Sequence, residues 1–255
     1  CVLSPESKNM INTLWTQLNS IKKGQSRPAG FERNKISKVG ILGAGMMGAG
    51  IAYVAAKAGI EVVLLDSSLE NAEKGKGYST KLLDKAISRG RSADAKKQAL
   101  LALIQPTTSY EDLKDCELVI EAVFEDIKVK AECTAQAEAV IADSALYASN
   151  TSTLPITSLA KASKRPNQFI GLHFFSPVDK MPLVEIIVGE QTDEATLAKA
   201  FDFVTQIGKT PIVVNDSRGF YTSRVFGTYV SEGIAMLSEG VHPRSIEVAG
   251  LKAGM

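Results

Sequence analysis

The chain is short of histidine, cysteine and tryptophan, with two, three and one of them in 255 residues. Cys1, Cys116 and Cys133 are odd in number and show no CxxC spacing. That argues against a disulfide scaffold or a zinc site, and for a reducing compartment. No apolar run approaches the roughly 20 residues that span a bilayer. Neither sign of charge is in excess: 29 Lys and Arg against 28 Asp and Glu leave a net +1. Nothing therefore suggests a nucleic-acid footprint or a membrane patch across the whole chain. There is no internal repeat, no low-complexity tract and no legible signal peptide. The chain begins with Cys1 rather than Met and stops at LKAGM without a cap, so it reads as a piece of a longer polypeptide. The expected compartment is the cytoplasm, or the peroxisome or mitochondrial matrix if the source is eukaryotic.

What is present is a core. A hydrophobic content of 45% supports one large domain plus a fragment of another. Residues 4–23 predict a helix, with Ser4 as N-cap and Pro5 at the first helical position. Met10, Ile11, Leu14, Trp15, Leu18 and Ile21 form one apolar stripe along it, which is expected to dock on something. GQSRPAGFERN (24–34) reads as a linker. Short β-branched runs then alternate with helical patterns: KVGIL (38–42), EVVLL (61–65), ELVIEA (117–122), ALYAS (145–149), FIGLHF (169–174), LVEIIV (183–188) and PIVV (211–214). Continuous apolar strands separated by helices predict an α/β fold with a doubly wound, mostly parallel sheet covered on both faces. From Ser217 the pattern is wholly helical, and some forty residues of that kind are a poor independent core.

GAGMMG (43–48) follows the first strand and opens a helix, and the second strand ends in an acid, Asp66. A lone GxGxxG is weak evidence, but here strand, turn, helix and second strand are all in place. Gly43 permits the tight turn, Gly45 lets the backbone approach a pyrophosphate, and Gly48 packs helix against strand. Met46 and Met47 sit inside this loop, where the helix N-terminus offers free N–H groups to phosphate. Asp66 suits the ribose hydroxyls and repels a 2′-phosphate, so NAD is favoured over NADP. The alternative is a tight turn that binds nothing.

His173 lies in GLHFFSPVDKMPLVEII (171–187), and Glu185 is the one carboxylate of its apolar run. A core histidine with a single hydrogen bond is a fair reading of His173 alone. A buried carboxylate, however, is costly unless paired. A His–Glu pair solves that problem and supplies a general base with its orienting acid. SNTSTLP (149–155) follows another strand, at the end where open α/β sheets bind ligands. Ser152 there could reach a substrate oxygen, or serve as a helix cap or turn.

Together GILGAGMMGAGIA, VVLLD, LVIEAVFEDIKVK, ASNTSTLPIT, GLHFFSPVDKMPLVEII and KTPIVVNDSRGF resemble the L-3-hydroxyacyl-CoA dehydrogenase family, most closely the dehydrogenase part of multifunctional fatty-acid β-oxidation enzymes. The resemblance implies a Rossmann-type NAD-binding domain over residues 35–215. It makes 1–34 the helix and linker from an upstream enoyl-CoA hydratase-like part, and 216–255 the start of a helical C-terminal domain. It implies oxidation of a 3-hydroxyacyl-CoA to the 3-oxoacyl-CoA, with His173 as base, Glu185 as its partner and Ser152 near the substrate oxygen. It assigns Val123, Glu125, Lys130 and Ser176 to the cofactor and Ser223 to substrate. From pattern alone, Glu125 and Lys130 read as solvated first turns of a helix. The resemblance also implies an acyl-CoA substrate, and a thiolase partner or a homo-oligomer.

The chain departs from the family at Ser176 and Ser223, where asparagine is usual, and at Arg218, where proline is usual. Ser is shorter than Asn, which bears on efficiency and acyl preference more than on reaction type. Lys81, Lys85 and Arg89 recur every four residues and read as a solvated face or as a surface for coenzyme A phosphates. Two other activities stay open: a dehydrogenase of small hydroxy acids, and an NAD-binding fragment without turnover.

Overall fold

The computed structural model describes residues 3–254, so Cys1 lies outside the described residues. The chain opens with α1 (Pro5–Met10), wider π-type turns over Ile11–Gln17, and α2 (Leu18–Lys22). Ser4 caps it as expected, its hydroxyl accepting from the Ser7 amide at 3.3 Å. The first part of the apolar stripe is bare: Trp15 is 70% exposed, and Met10, Ile11 and Leu14 are exposed beside it, whereas Ile21 is half-buried where α2 approaches residues 210–215.

The segment expected to be a linker is fastened. Arg27 grips Asp202 with two nitrogens, at 2.7 and 2.8 Å, and also donates to the carbonyls of Pro28, Phe31 and Glu32. Such bidentate pairing fixes direction as well as distance.

The sheet domain runs β1 (Lys38–Leu42), α3 (Met46–Lys57), β2 (Glu61–Leu65), α4 (Leu69–Ser88), α5 (Asp94–Ala102), β3 (Ile104–Thr107), β4 (Leu118–Glu121), α6 (Ile127–Glu138), β5 (Leu146–Ser149), α7 (Ile156–Ala160), β6 (Phe169–Phe174), β7 (Leu183–Val188), α8 (Glu194–Gln206) and β8 (Thr210–Asn215). The strands form one sheet in the order β3-β2-β1-β4-β5-β6-β7-β8. Each neighbouring pair is parallel except β6 and β7, which are antiparallel. The expected strands stand within a residue or so of their predicted bounds. β3 is the addition: its IQPT sequence gives no apolar run, and Pro106 is tolerated because the strand lies at the sheet edge.

Successive strand residues feed opposite cores. Ile41, Leu64, Ile120 and Leu172 pack on one face with α3 and α8, whereas Leu42, Val63, Val119 and Ile187 pack on the other. Cys116 and Cys133 are free thiols, and burial pushes Cys116 up to about 12, so it fills the core as a small apolar side chain. The chain ends in α9 (Thr222–Ser238) and α10 (Pro243–Lys252), neither of which has a buried residue.

The order reverses between β1 and β4, so the crevice beyond their C-terminal ends is where this architecture takes a ligand. The antiparallel β6–β7 pair stands two strands further along, beyond β5.

Candidate active site

At the reversal point a cavity of about 640 Å³ opens between the glycine turn, Asp66 and the loop after β4. Gly43, Gly45, Met46, Met47, Asp66 and Val123 all line it. The three glycines do different work. Gly43 sits at φ +92°, and a Cβ there would come within 2.6 Å of the Ala122 carbonyl. A Cβ on Gly48 would stand 1.7 Å from the Gly43 carbonyl, so helix and turn close together only without it. Gly45 has nothing within 4 Å of its missing Cβ. The fold does not need glycine at 45; the open space in front of it does. Gly45 also begins α3 with no side-chain cap, leaving the first helical amides for an anion. This open cradle fits a dinucleotide pyrophosphate.

Asp66 lines the same cavity. Its Oδ2 accepts from the Ala44 amide at 2.7 Å, and its Oδ1 from the Ser67 amide and Asn71. Burial alone would raise this carboxyl, but the amide and side-chain donors outweigh it and hold it below the usual range. The charge is therefore present where it favours two hydroxyls over a phosphate.

A second cluster joins the ends of β4 and β5. Lys130, on α6, is 2% exposed and donates to Glu121 at 2.8 Å and to Glu125 at 3.1 Å. Glu121 also accepts from the Val123 amide and the Ser149 hydroxyl, each at 2.8 Å. Glu125 accepts from Thr151 and from the Ser152 amide. Burial would raise the Glu125 carboxyl, but Thr151, Lys130 and Ser152 together lower it. The reading of a solvated first turn is thus corrected for Lys130, which α6 turns inward to the buried Glu121, while Glu125 is exposed on the loop before α6. Ser152 is exposed on the same loop. The turn is made instead by Thr151, whose hydroxyl accepts from the Thr153 and Leu154 amides.

The third cluster is the antiparallel pair. Register sets His173 directly opposite Glu185, and Nδ1 meets Oε2 at 2.7 Å. His173 is 7% exposed and Glu185 fully buried. Phe175 and Phe220 wall the imidazole, with ring centroids at 4.5 and 5.9 Å. Glu185 accepts further from the Tyr221 amide at 3.2 Å, the Thr222 amide at 2.9 Å and the Thr222 hydroxyl at 2.8 Å. Burial pushes this carboxyl up, but His173 and Thr222 outweigh it and hold it below the usual range. An ionised Glu185 accepts a hydrogen bond from Nδ1–H, so the lone pair is left on Nε2. Phe220 stands at φ +49°, uncommon for a bulky residue and worth about 1–3 kcal/mol of strain. This turn packs its ring on His173 and delivers the first amides of α9 to Glu185.

Two bridges tie the clusters together. The Asn150 side chain accepts from the Phe174 amide at 2.9 Å, fixing the β5 loop to the end of the His173 strand. Ser176 lies 3.7 Å from the Met46 sulfur, which brings the loop after β6 against the glycine turn. Ser223 is half-buried on α9 beside Thr222, and no contact joins it to the other clusters among the described residues. Glu121, Ser149, Asn150, Thr151 and Thr222 are site residues that pattern reading missed.

A doubly wound dinucleotide-binding sheet with a His–Glu pair beside its crevice defines a nucleotide-dependent dehydrogenase architecture. Comparison narrows this. The profile of the 3-hydroxyacyl-CoA dehydrogenase NAD-binding domain matches residues 38–217. The fatty acid oxidation complex subunit alpha of Shewanella amazonensis is 40% identical over 258 residues, spanning 99% of this chain. The chain spans 36% of that relative's length. The (S)-3-hydroxybutyryl-CoA dehydrogenase of Ralstonia eutropha superposes with a TM-score of 0.79 at 40% identity, over 82% of this chain and 74% of its own. The 3-hydroxybutyryl-CoA dehydrogenase of Escherichia coli K12 gives 0.79 at 33% identity, over 82% and 44%. The chain belongs to the 3-hydroxyacyl-CoA dehydrogenase family and carries its NAD-binding domain.

Proposed function

We propose that this chain oxidises (S)-3-hydroxyacyl-CoA thioesters to 3-oxoacyl-CoA, with His173 as general base. The observation that carries the reading is the 2.7 Å bond from His173 Nδ1 to the buried Glu185, which leaves Nε2 as the basic nitrogen. The residues that would hold NAD are the turn Gly43–Gly48, Asp66, Val123, Glu125, Lys130 and Ser176. Bound there, NAD supplies the hydride acceptor for C3. His173 takes the 3-hydroxyl proton at Nε2 as the carbonyl forms. Glu185 stabilises the resulting imidazolium without taking its proton. Ser152 holds the substrate oxygen, and Ser223 contacts the acyl portion. The basic face of α4, with Lys81, Lys85 and Arg89 exposed, faces the phosphates of coenzyme A.

The chain is proposed to work in fatty-acid β-oxidation, in the cytoplasm, within a larger assembly: one relative's name is that of a complex subunit. Among the described residues no helix is long and apolar enough to cross a membrane. Residues 1–34 would join an upstream hydratase-like domain, and 216–255 would start the helical domain that completes the substrate cleft. A second reading, NAD binding without turnover, is favoured by the bare apolar residues of α9 and α10, among them Phe226, Ile234 and Leu251.

The substrate class is tested by following NADH oxidation with acetoacetyl-CoA and with free acetoacetate. Turnover confined to the thioester is expected. Equal turnover with the free acid would point to a dehydrogenase of small hydroxy acids, and NADH binding without turnover to the second reading.

A further inference from the structure

Glu185 has more donors than a partner for one histidine requires. Its Oε1 is held by the backbone amides of Tyr221 and Thr222, at 3.2 and 2.9 Å. These would stay in place whatever side chain stood at 222. Its Oε2 carries both His173 Nδ1, at 2.7 Å, and the Thr222 hydroxyl, at 2.8 Å. Two donors thus share the one oxygen that would stabilise the imidazolium.

We infer that Thr222 is a positioning residue that sets the basicity of His173 through Glu185. The hydroxyl draws charge from Oε2, so that oxygen stabilises a protonated His173 less than a carboxylate bonded to the imidazole alone. This rests on the reading of His173 as the base.

The surroundings leave Glu185 as the charged group bonded to His173. Phe175 and Phe220 are apolar walls. Glu125, on the loop after β4, is engaged with Thr151 and Lys130. Arg224, on α9, donates to Ser217, and Asp216 accepts from the Ile156 and Thr157 amides. Tyr221 is exposed and reaches Glu185 through its backbone.

The chain holds two histidines, and His242 is exposed at the start of α10, so the ring signals of His173 can be assigned by their loss in His173→Gln. The test is an NMR titration of that ring in the full chain, alongside Thr222→Val and Thr222→Ser. In Thr222→Val the midpoint is expected to rise by about half a pH unit, from loss of one hydrogen bond to a charged group. Thr222→Ser should restore the parent value. In turnover, the acid limb of the kcat/KM profile should move the same way. An unmoved midpoint in Thr222→Val, or a shift that Ser does not reverse, would overturn the proposal. Thr222→Ala replaces Val if that variant fails to fold. Full turnover in His173→Gln would instead refute His173 as the base, while the titration would still decide whether Thr222 acts on the pair.

Discussion

The two halves of the site are assembled in different ways. The proposed cofactor half has a local centre: β1, the glycine turn, α3 and β2 follow one another within 28 residues, from Lys38 to Leu65. Its function lies largely in what is missing, the Cβ atoms of Gly45 and Gly48. The half proposed for proton transfer is made of contacts between segments. His173 and Glu185 meet only through the antiparallel register of β6 and β7, and Glu185 is completed by α9, 36 and 37 residues further on. A local motif tolerates little change in shape. A long-range pair tolerates little change in charge or in the elements that align it.

Lys130→Met should separate these demands most strongly. It leaves Glu121 buried with its charge uncompensated, at a cost of about 3–5 kcal/mol. A large drop in the denaturant midpoint is expected, together with weaker NADH binding. An unchanged midpoint would mean the cluster is not held by charge. Within the glycine turn, Gly45→Val and Gly48→Ala should behave oppositely. Gly45→Val fills open space, so NADH affinity should fall about ten-fold or more, roughly 1.4 kcal/mol, with little change in Tm. Gly48→Ala forces a Cβ onto the Gly43 carbonyl, so Tm should fall along with affinity. Equal Tm losses in the two variants would refute the division of labour among these glycines.

The smallest effect is on acid stability. Asp66, Glu125, Glu185 and Asp202 all have carboxyls held below their usual range in the folded chain. For Asp202, burial raises the carboxyl, but Arg27 and the Asn34 amide lower it further. A depressed folded value stabilises the fold above the unfolded carboxylate range, about 4, and that contribution is lost as pH falls through the lower folded values. Urea midpoints should be flat from about pH 7 to 5 and drop below about 4. A decline beginning near pH 6 would point to histidine instead.

How much of this was legible follows the same division. β1, β2, β6 and β7 have the bounds that their apolar runs predict, and β1, β2 and β7 are closed by Gly43, Asp66 and Gly189. β3 is hidden by Pro106, and the fixed course of residues 24–34 by long-range bonds from Arg27 and the Asn34 amide to Asp202. Glu185 stands out as the one acid in an apolar run. The same rule applied to LVIEA marks Glu121, and with it a buried partner for Lys130. Thr222 carries no such signal: a threonine at a helix start is ordinary, and its role depends on where α9 meets β7. The bare stripe around Trp15 is plain in sequence, but its cover is not within the described residues.

The proposed division gives proton transfer to the His173–Glu185 pair and cofactor binding to the glycine turn and Asp66. It is tested most directly by measuring NADH affinity and turnover of acetoacetyl-CoA in His173→Gln beside the parent chain. Turnover is expected to fall by about 10²–10⁴, the usual worth of a general base, with NADH affinity within about two-fold of the parent. Turnover retained, or lost together with NADH binding, would contradict it.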